Sequence, residues 1–395
     1  MIGAFLLSSA VGLAVILSTR SWHSTWWAKR IVRYGIIVLA ALVPIGMFLR
    51  RLGVGRVFDD FQSAPISIAG GILGGGGAIA LLSLFVSLPA AGLLRRVLKT
   101  LAPFESVAAP KATFGISRRA IVEAAVAAVP IATLGLAAAG IGGAFVPTKL
   151  VQRPMKFANL PDELAGLKIL QITDLHLGAF HAPSAIPDLV ARARATEPDL
   201  VLFTGDICDY LPWLEEALHR FEEIAPRYGS FAVLGNHEHY RGAAKNLRIY
   251  DKTKIAVLGD AHHALDIAGK KLLLMGVDDP SGWGNDKDHY VRRADIAMSG
   301  APSDADFTIG LCHRPKGFRA LAERGVDLTL SGHTHGAQTG WNERSILEPF
   351  AEEQYLWGRY EHAGKQLYTS SGAGHWAAFR LACPSEAPLV VLEKA

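Results

Sequence analysis

ILQITDLHLG, residues 169–178, is an apolar run that breaks abruptly into Asp174 and His176. Leu167 to Thr173 is expected to be a buried strand, because a near-continuous apolar stretch suits a sheet covered on both faces. The same grammar recurs down the chain. LVLFTGDICD (200–209) delivers Asp206, FAVLGNHEHY (231–240) delivers Asn236 and His237, FTIGLCHRP (307–315) delivers His313, and LTLSGHTHG (328–336) delivers His333 and His335. Strands are expected at Asp199–Thr204, Ser230–Leu234, Lys271–Val277, Phe307–Cys312, Asp327–Leu330, Gln366–Ser370 and Leu389–Leu392. Helical stretches are expected at about 184–196 and 211–225. The fold class is therefore α/β, layered, with helices on both sides of a mixed sheet. Ligands of such sheets bind beyond the carboxyl ends of the strands. A lone histidine there is ordinarily a hydrogen-bonded surface residue; five strand ends all carrying Asp, Asn or His are a different matter. Carboxylate and imidazole together suit borderline divalent metals such as Zn, Mn, Fe or Ni.

D-x-H, G-D, G-N-H-E and G-H-T-H-G, in this order, resemble the calcineurin-like metallophosphoesterase superfamily. The likeness is to its membrane-linked or twin-arginine-exported bacterial phosphodiesterases, and it covers roughly residues 160–393. The resemblance implies a two-sheet β-sandwich flanked by helices, with a dinuclear metal site at one edge. It implies Asp174, His176 and His335 on one divalent ion, Asn236, His313 and His333 on a second, and Asp206 bridging both. The ions would be Mn, Fe, Zn or similar. His237 would face the scissile phosphate as the catalytic residue. GAGHWAAFR (372–380) resembles a late block of the family and makes Arg380 a weaker substrate-binding candidate. Two departures stand out: Ala337 occupies the usual second glycine after the paired histidines, and Glu238 stands where many members have aspartate. The chemistry expected is in-line attack on a phosphodiester, or phosphomonoester, by metal-activated hydroxide, with no covalent enzyme intermediate. His237 would serve as general acid or electrostatic stabiliser.

Other polar residues read more plainly. Asp209 and His239 are expected to be surface or structural residues, although both could orient the ligand shell from behind. His262 and His263 read as a polar loop, and Cys208 and Cys312 as small core residues. Asp278-Asp279-Pro280 follows a strand and could line the cleft. Trp283, Trp341, Trp357 and Trp376 could meet a lipid or sugar, or pack in the core.

Before residue 149 the chain changes character. Of its 395 residues 50% are hydrophobic and only 19% charged, against about 25% charge in a soluble domain. That excludes disorder and makes a polar-coated soluble monomer a poor fit. Net charge is +4, with 40 basic against 36 acidic residues, so no nucleic-acid partner is expected; 3 cysteines make no disulfide framework. Residues 1–148 are expected to be an all-α membrane region of about four transmembrane helices, near 2–19, 31–49, 64–94 and 120–146. Residues 149–166 read as a linker and 167–395 as the catalytic domain. Trp22, Trp26 and Trp27 beside Lys29 and Arg30 suit a membrane interface. Gly70, Gly71 and Gly74 to Gly77 suit close helix contact in lipid. The first and third connecting segments are richer in Lys and Arg than the others, which places them in the cytoplasm and the catalytic domain outside it. Ser117-Arg118-Arg119-Ala120-Ile121 resembles a twin-arginine export signal, making the export machinery a candidate partner. The location expected is the bacterial inner membrane, multi-pass, and the partners are a phosphate-ester substrate, lipid-linked or from the envelope, and the bilayer. The alternatives are a hydrolase of a UDP-diacylglucosamine-type pyrophosphate, which favours the opposite orientation, and a non-catalytic metal-binding module. A transporter lacks the intramembrane ionisable residues it would need.

Overall fold

The computed structural model describes residues 2–54, 69–101, 118–178, 181, 183–281, 288–351, 355–375 and 377–395. Trp283, Trp376, residues 64–68 of the expected third span and Ser117 of the export-like motif lie outside the described residues, as does the side chain of Arg118. The chain forms two compact units, 1–143 with 377–381, and 144–376 with 382–395.

The first unit is helical. Arg30–Leu49, Ala69–Thr100 and Arg119–Gly143 are long and apolar enough to cross a membrane. Of the four expected spans, these three helices correspond to the second, third and fourth. The first helix, Ile2–Trp22, is 21 residues long, and its stretch Leu6–Trp22 is apolar too. Glycine sets the spacing inside this unit. A Cβ on Gly46 would collide with the backbone at Leu73 and Gly74, so the helices approach at backbone distance, the contact that small residues permit in lipid. Arg95 and Arg96 stack over Trp26 and Trp22 at 5.5 and 4.9 Å. Arg95 also pairs with Glu123 at 2.6 Å.

The second unit begins with β1 (Lys149–Phe157), so the stretch read as a linker starts as a strand. It pairs in parallel with β14 (Glu386–Lys394) along its whole length. The sequence hides it because KLVQRPMKF is studded with charge and proline, residues tolerated on a sheet edge, and β1 is an edge strand. Then follow β2 (Lys168–Ile172), β3 (Leu200–Thr204), β4 (Ser230–Val233) and β5 (Ile255–Val257), giving one sheet in the order β1-β14-β2-β3-β4-β5. The other sheet runs β12 (Gly358–His362), β13 (Lys365–Thr369), β9 (Leu328–Ser331), β8 (Phe307–Cys312), β7 (Lys270–Val277) and β6 (Ala261–Ile267). A small hairpin joins β10 (Gly340–Trp341) to β11 (Arg344–Ser345).

Strand alternation explains the layers. Ile169, Leu202, Leu274, Ile309 and Leu330 point between the sheets and form one buried cluster. Their neighbours Leu170, Ile172, Val201 and Phe203 face outward, under Leu189 and Val190 of helix Ile186–Arg194 and Leu218 and Phe221 of helix Leu214–Glu222. Helix His289–Met298 covers the second sheet through Tyr290 and Ala294 against Met275 and Val277. Each fully buried Leu, Ile or Phe contributes about 1.5–3 kcal/mol. This is the expected two-sheet sandwich flanked by helices. β2 to β5 are mutually parallel, and so are β7, β8, β9 and β13.

Candidate metal centre

Parallel strands bring their carboxyl ends to one edge. Asp174 and His176 follow β2, Asp206 follows β3, and Asn236 and His237 open the helix Asn236–Arg241 after β4. From the other sheet come His313 after β8, and His333 and His335 after β9. The turns that aim them are strained. Asp174, His176, Asp206, His333 and His335 all have φ between 48 and 68°, the left-handed region that non-glycine residues enter at a cost of about 1–3 kcal/mol each. Ala337 has φ 50°, so the alanine in a usual glycine position keeps the glycine-type backbone.

The donors converge in trios, Asp174–His176–His335 and Asp206–His313–His333, in each of which one ligand atom per residue lies within 4.8 Å of the others. In the first, His176 Nε2 is 3.0 Å from His335 Nε2, which is 3.3 Å from Asp174 Oδ1. In the second, His313 Nε2 is 3.3 Å from Asp206 Oδ2, 3.2 Å from His333 Nδ1 and 3.1 Å from Asn236 Oδ1. A cation about 2.1 Å from each nitrogen or oxygen separates adjacent donors by roughly 3.0–3.4 Å. The donor spacing therefore fits divalent ions. Asp206 Oδ2 also lies 3.7 Å from His176 Nε2, between the two trios.

A dense hydrogen-bond shell holds these side chains. Asp174 accepts from the His333 backbone N–H at 2.9 Å and from Thr173 Oγ1 at 2.8 Å. His313 Nδ1 reaches across to the Thr204 carbonyl at 2.7 Å, so the ring crosses from one sheet to the other with Nε2 turned into the site. Glu238 is buried and accepts from the backbone N–H groups of Gly235, Asp206 and Ile207 at 2.7–2.8 Å, pinning two of the turns together. The carboxylates dominate the electrostatics. Burial opposes charge on His176, but Asp209, Asp206 and Asp174 hold its pKa up at about 9. Burial likewise opposes charge on His313, and Asp206 and Asp174 raise it to about 10. Burial alone would raise Asp206, yet His313, His176 and His237 hold it well below the usual carboxylate range. Burial, with His313 and Arg314, pushes His333 the other way, well below the usual imidazole range.

Asp209 takes the orienting place that the sequence offered it as the lesser alternative. One of its oxygens bonds His237 Nδ1 and the other lies 3.3 Å from His176 Nδ1, which is the orienting alternative rather than the surface or structural role expected first. His239 bonds Asp278 at 2.9 Å, and Asp279 takes Arg314 at 2.7 and 3.2 Å. The only sequence signal for Asp209 was its position three residues after Asp206, which says nothing of side-chain direction. His262 and His263 lie on β6 rather than in a polar loop, on Ala297 O and the Phe231 ring. Cys208 and Cys312 are buried, as expected of core residues. Arg380 falls in the segment 377–381 that packs with the helical unit, where its backbone N–H donates to Gly140 O at 2.6 Å.

Residues 167–337 match the family model for calcineurin-like phosphoesterases. A Helicobacter pylori metallophosphoesterase is 32% identical over 65% of this chain and 67% of its own length. The chain is a calcineurin-like metallophosphoesterase. A zebrafish transmembrane protein with a metallophosphoesterase domain is 28% identical over 67% of this chain and 62% of its own. The Escherichia coli phosphodiesterase YaeI is 28% identical over 60% of this chain and 86% of its own. Family and donor set together make this metallophosphoesterase a metal-dependent phosphoester hydrolase.

Proposed function

We propose that the protein is a membrane-anchored phosphohydrolase that holds two divalent ions and cleaves phosphodiesters or phosphomonoesters. Asp174, His176 and His335 would hold one ion, and Asn236, His313 and His333 the other, with Asp206 shared. The observation that carries this reading is the position of Asp206 Oδ2, within 3.3 Å of His313 and 3.7 Å of His176. Two such ions supply charge neutralisation for the phosphoryl oxygens and a nucleophilic water near neutral pH. The protein's own residues do the rest. Asn236 contributes a neutral oxygen, which leaves net positive charge for an anionic substrate. Asp209 takes the Nδ1 side of His237 and leaves Nε2, 3.9 Å from Asp206 Oδ2, to meet the leaving oxygen with a proton or hydrogen bond. The three membrane-length helices support an anchor in a bacterial inner membrane, and the Lys and Arg distribution supports a catalytic domain outside the cytoplasm. Lipid or envelope phosphoesters are then the nearest substrates.

The purified chain with Mn²⁺ is expected to hydrolyse bis-p-nitrophenyl phosphate and to bind two metal ions per chain by elemental analysis. His237→Ala should lower kcat by about 10²–10⁴-fold, the usual contribution of a positioned acid–base group. Turnover that is independent of metal, or indifferent to Asp206→Asn, would end the proposal.

A further inference from the structure

Four large apolar side chains stand in water on one short segment of the sandwich unit. Trp341 is 77% exposed, Ile346 50%, Leu347 45% and Phe350 85%. Their polar neighbours are tied to the body of the domain instead. Glu343 pairs with Arg153 at 2.7 Å. Arg344 lies over the Tyr360 ring at 4.1 Å and donates to the Arg359 carbonyl at 2.6 Å. Glu348 accepts from Tyr360 Oη at 2.9 Å. The polarity of the segment is inverted for a surface loop, and contiguous exposed apolar patches of this kind mark binding surfaces.

The presentation is rigid. Asn342 and Glu343, at φ 48 and 59°, make a tight two-residue turn between β10 and β11. The hairpin is also continuous with the metal centre. The turn His335–Gln338 runs straight into it, with Thr339 N donating to Gly336 O at 3.3 Å and Ile346 N to Thr339 O at 3.4 Å. Gly336 and Gly340 both pack against the buried Trp357. The same strap that carries His335 therefore carries Trp341. Polar donors and apolar side chains carried on one stretch of chain are the combination that a ligand with a charged head and an apolar body requires.

We infer that the hairpin 340–350 is the apolar wall of the substrate site and takes the hydrocarbon chain of an amphiphilic phosphoester whose phosphate lies among the strand-end donors. This rests on the phosphohydrolase reading and adds the substrate class to it. A hydrocarbon chain is favoured over a protein partner because the patch continues the His335 turn. Moreover, a chain with membrane-length helices works where such amphiphiles are concentrated.

The test is a series of p-nitrophenyl alkyl phosphates, from ethyl to dodecyl, hydrolysed by the full chain in lipid nanodiscs with Mn²⁺. Every member presents the same scissile P–O bond and the same leaving group. For the native protein kcat/KM is expected to climb with chain length. Trp341→Ser and Phe350→Ser should each lower kcat/KM for the dodecyl ester about tenfold, the factor that goes with losing one large apolar contact. The loss should shrink steadily as the alkyl chain shortens, and Trp341→Phe should restore most of it. A flat native series, or variants that slow all esters equally, would overturn the inference. So would an altered oligomeric state in variants whose ester series is unchanged, which would make the hairpin a protein contact. Absence of metal-dependent turnover of even the ethyl ester would instead remove the phosphohydrolase reading, and this inference with it.

Discussion

Asp209 uses its two carboxylate oxygens on two different imidazoles, His176 and His237. It thereby sets the ring orientation of a candidate ligand and of the candidate acid together. Outer-shell carboxylates of this kind are worth about 10–100-fold in metal affinity or activity, so Asp209→Asn should cost that much in kcat while the far-ultraviolet circular dichroism stays native. The His239–Asp278 pair is a stability contact with a pH signature. The hydrogen bond to Asp278 raises the His239 pKa against the opposing effect of burial. The contribution is therefore fully present below the unfolded value of about 6.5 and fades as pH rises through the folded one. Asp278→Asn should lower the thermal midpoint more at pH 5.5 than at pH 8.5, by a difference worth no more than about 1 kcal/mol. Equal losses at both values would show that the pair carries no protonation-linked stability. At this scale the sequence supplied Asp174, His176, Asp206, Asn236, His237, His313, His333 and His335 as strand-end residues. It named Asp209 but could not choose between an orienting and a surface role, because residue type and spacing do not say which way a carboxylate turns.

The turns between strands and helices do the aiming, and glycine makes them possible. A Cβ on Gly332 would collide with Asp174 Oδ2 and Thr173 Oγ1. Gly332→Ala should thus push Asp174 off its bond with the His333 N–H and reduce bound metal on elemental analysis. Retention of the full metal content would mean that the turn can shift without moving Asp174. The strands β2, β3, β4, β8 and β9 were legible because buried parallel strands read as apolar runs with sharp polar ends. β1 was not, since Lys149, Arg153, Pro154 and Lys156 break the apolar run, and its place in the sheet is fixed by tertiary contacts. One of these is Arg153, which donates to Tyr368 Oη at 2.8 Å and to buried Glu386 at 3.1 Å.

The two sheets contribute to one centre, so a metal bound there should couple their stabilities. Removing metal with EDTA should lower the thermal midpoint of the sandwich by several degrees, and Mn²⁺ should restore it; an ion at 100 times its Kd stabilises by about 2.7 kcal/mol. An unchanged midpoint would argue that the sheets close without it. In the membrane region, apolar length alone announced helices. Whether the first helix, Ile2–Trp22, crosses as well decides whether the two termini share a side of the bilayer. Sequence alone determined the chemistry, the family and the apolar character of the first 148 residues, since ligand type and hydrophobic length are local properties. Tertiary structure alone decided that β1 belongs to the sandwich, that Asp209 clamps two histidines and that an apolar hairpin adjoins His335. Each of those depends on side-chain direction and on which distant strands pair, and a one-dimensional pattern specifies neither.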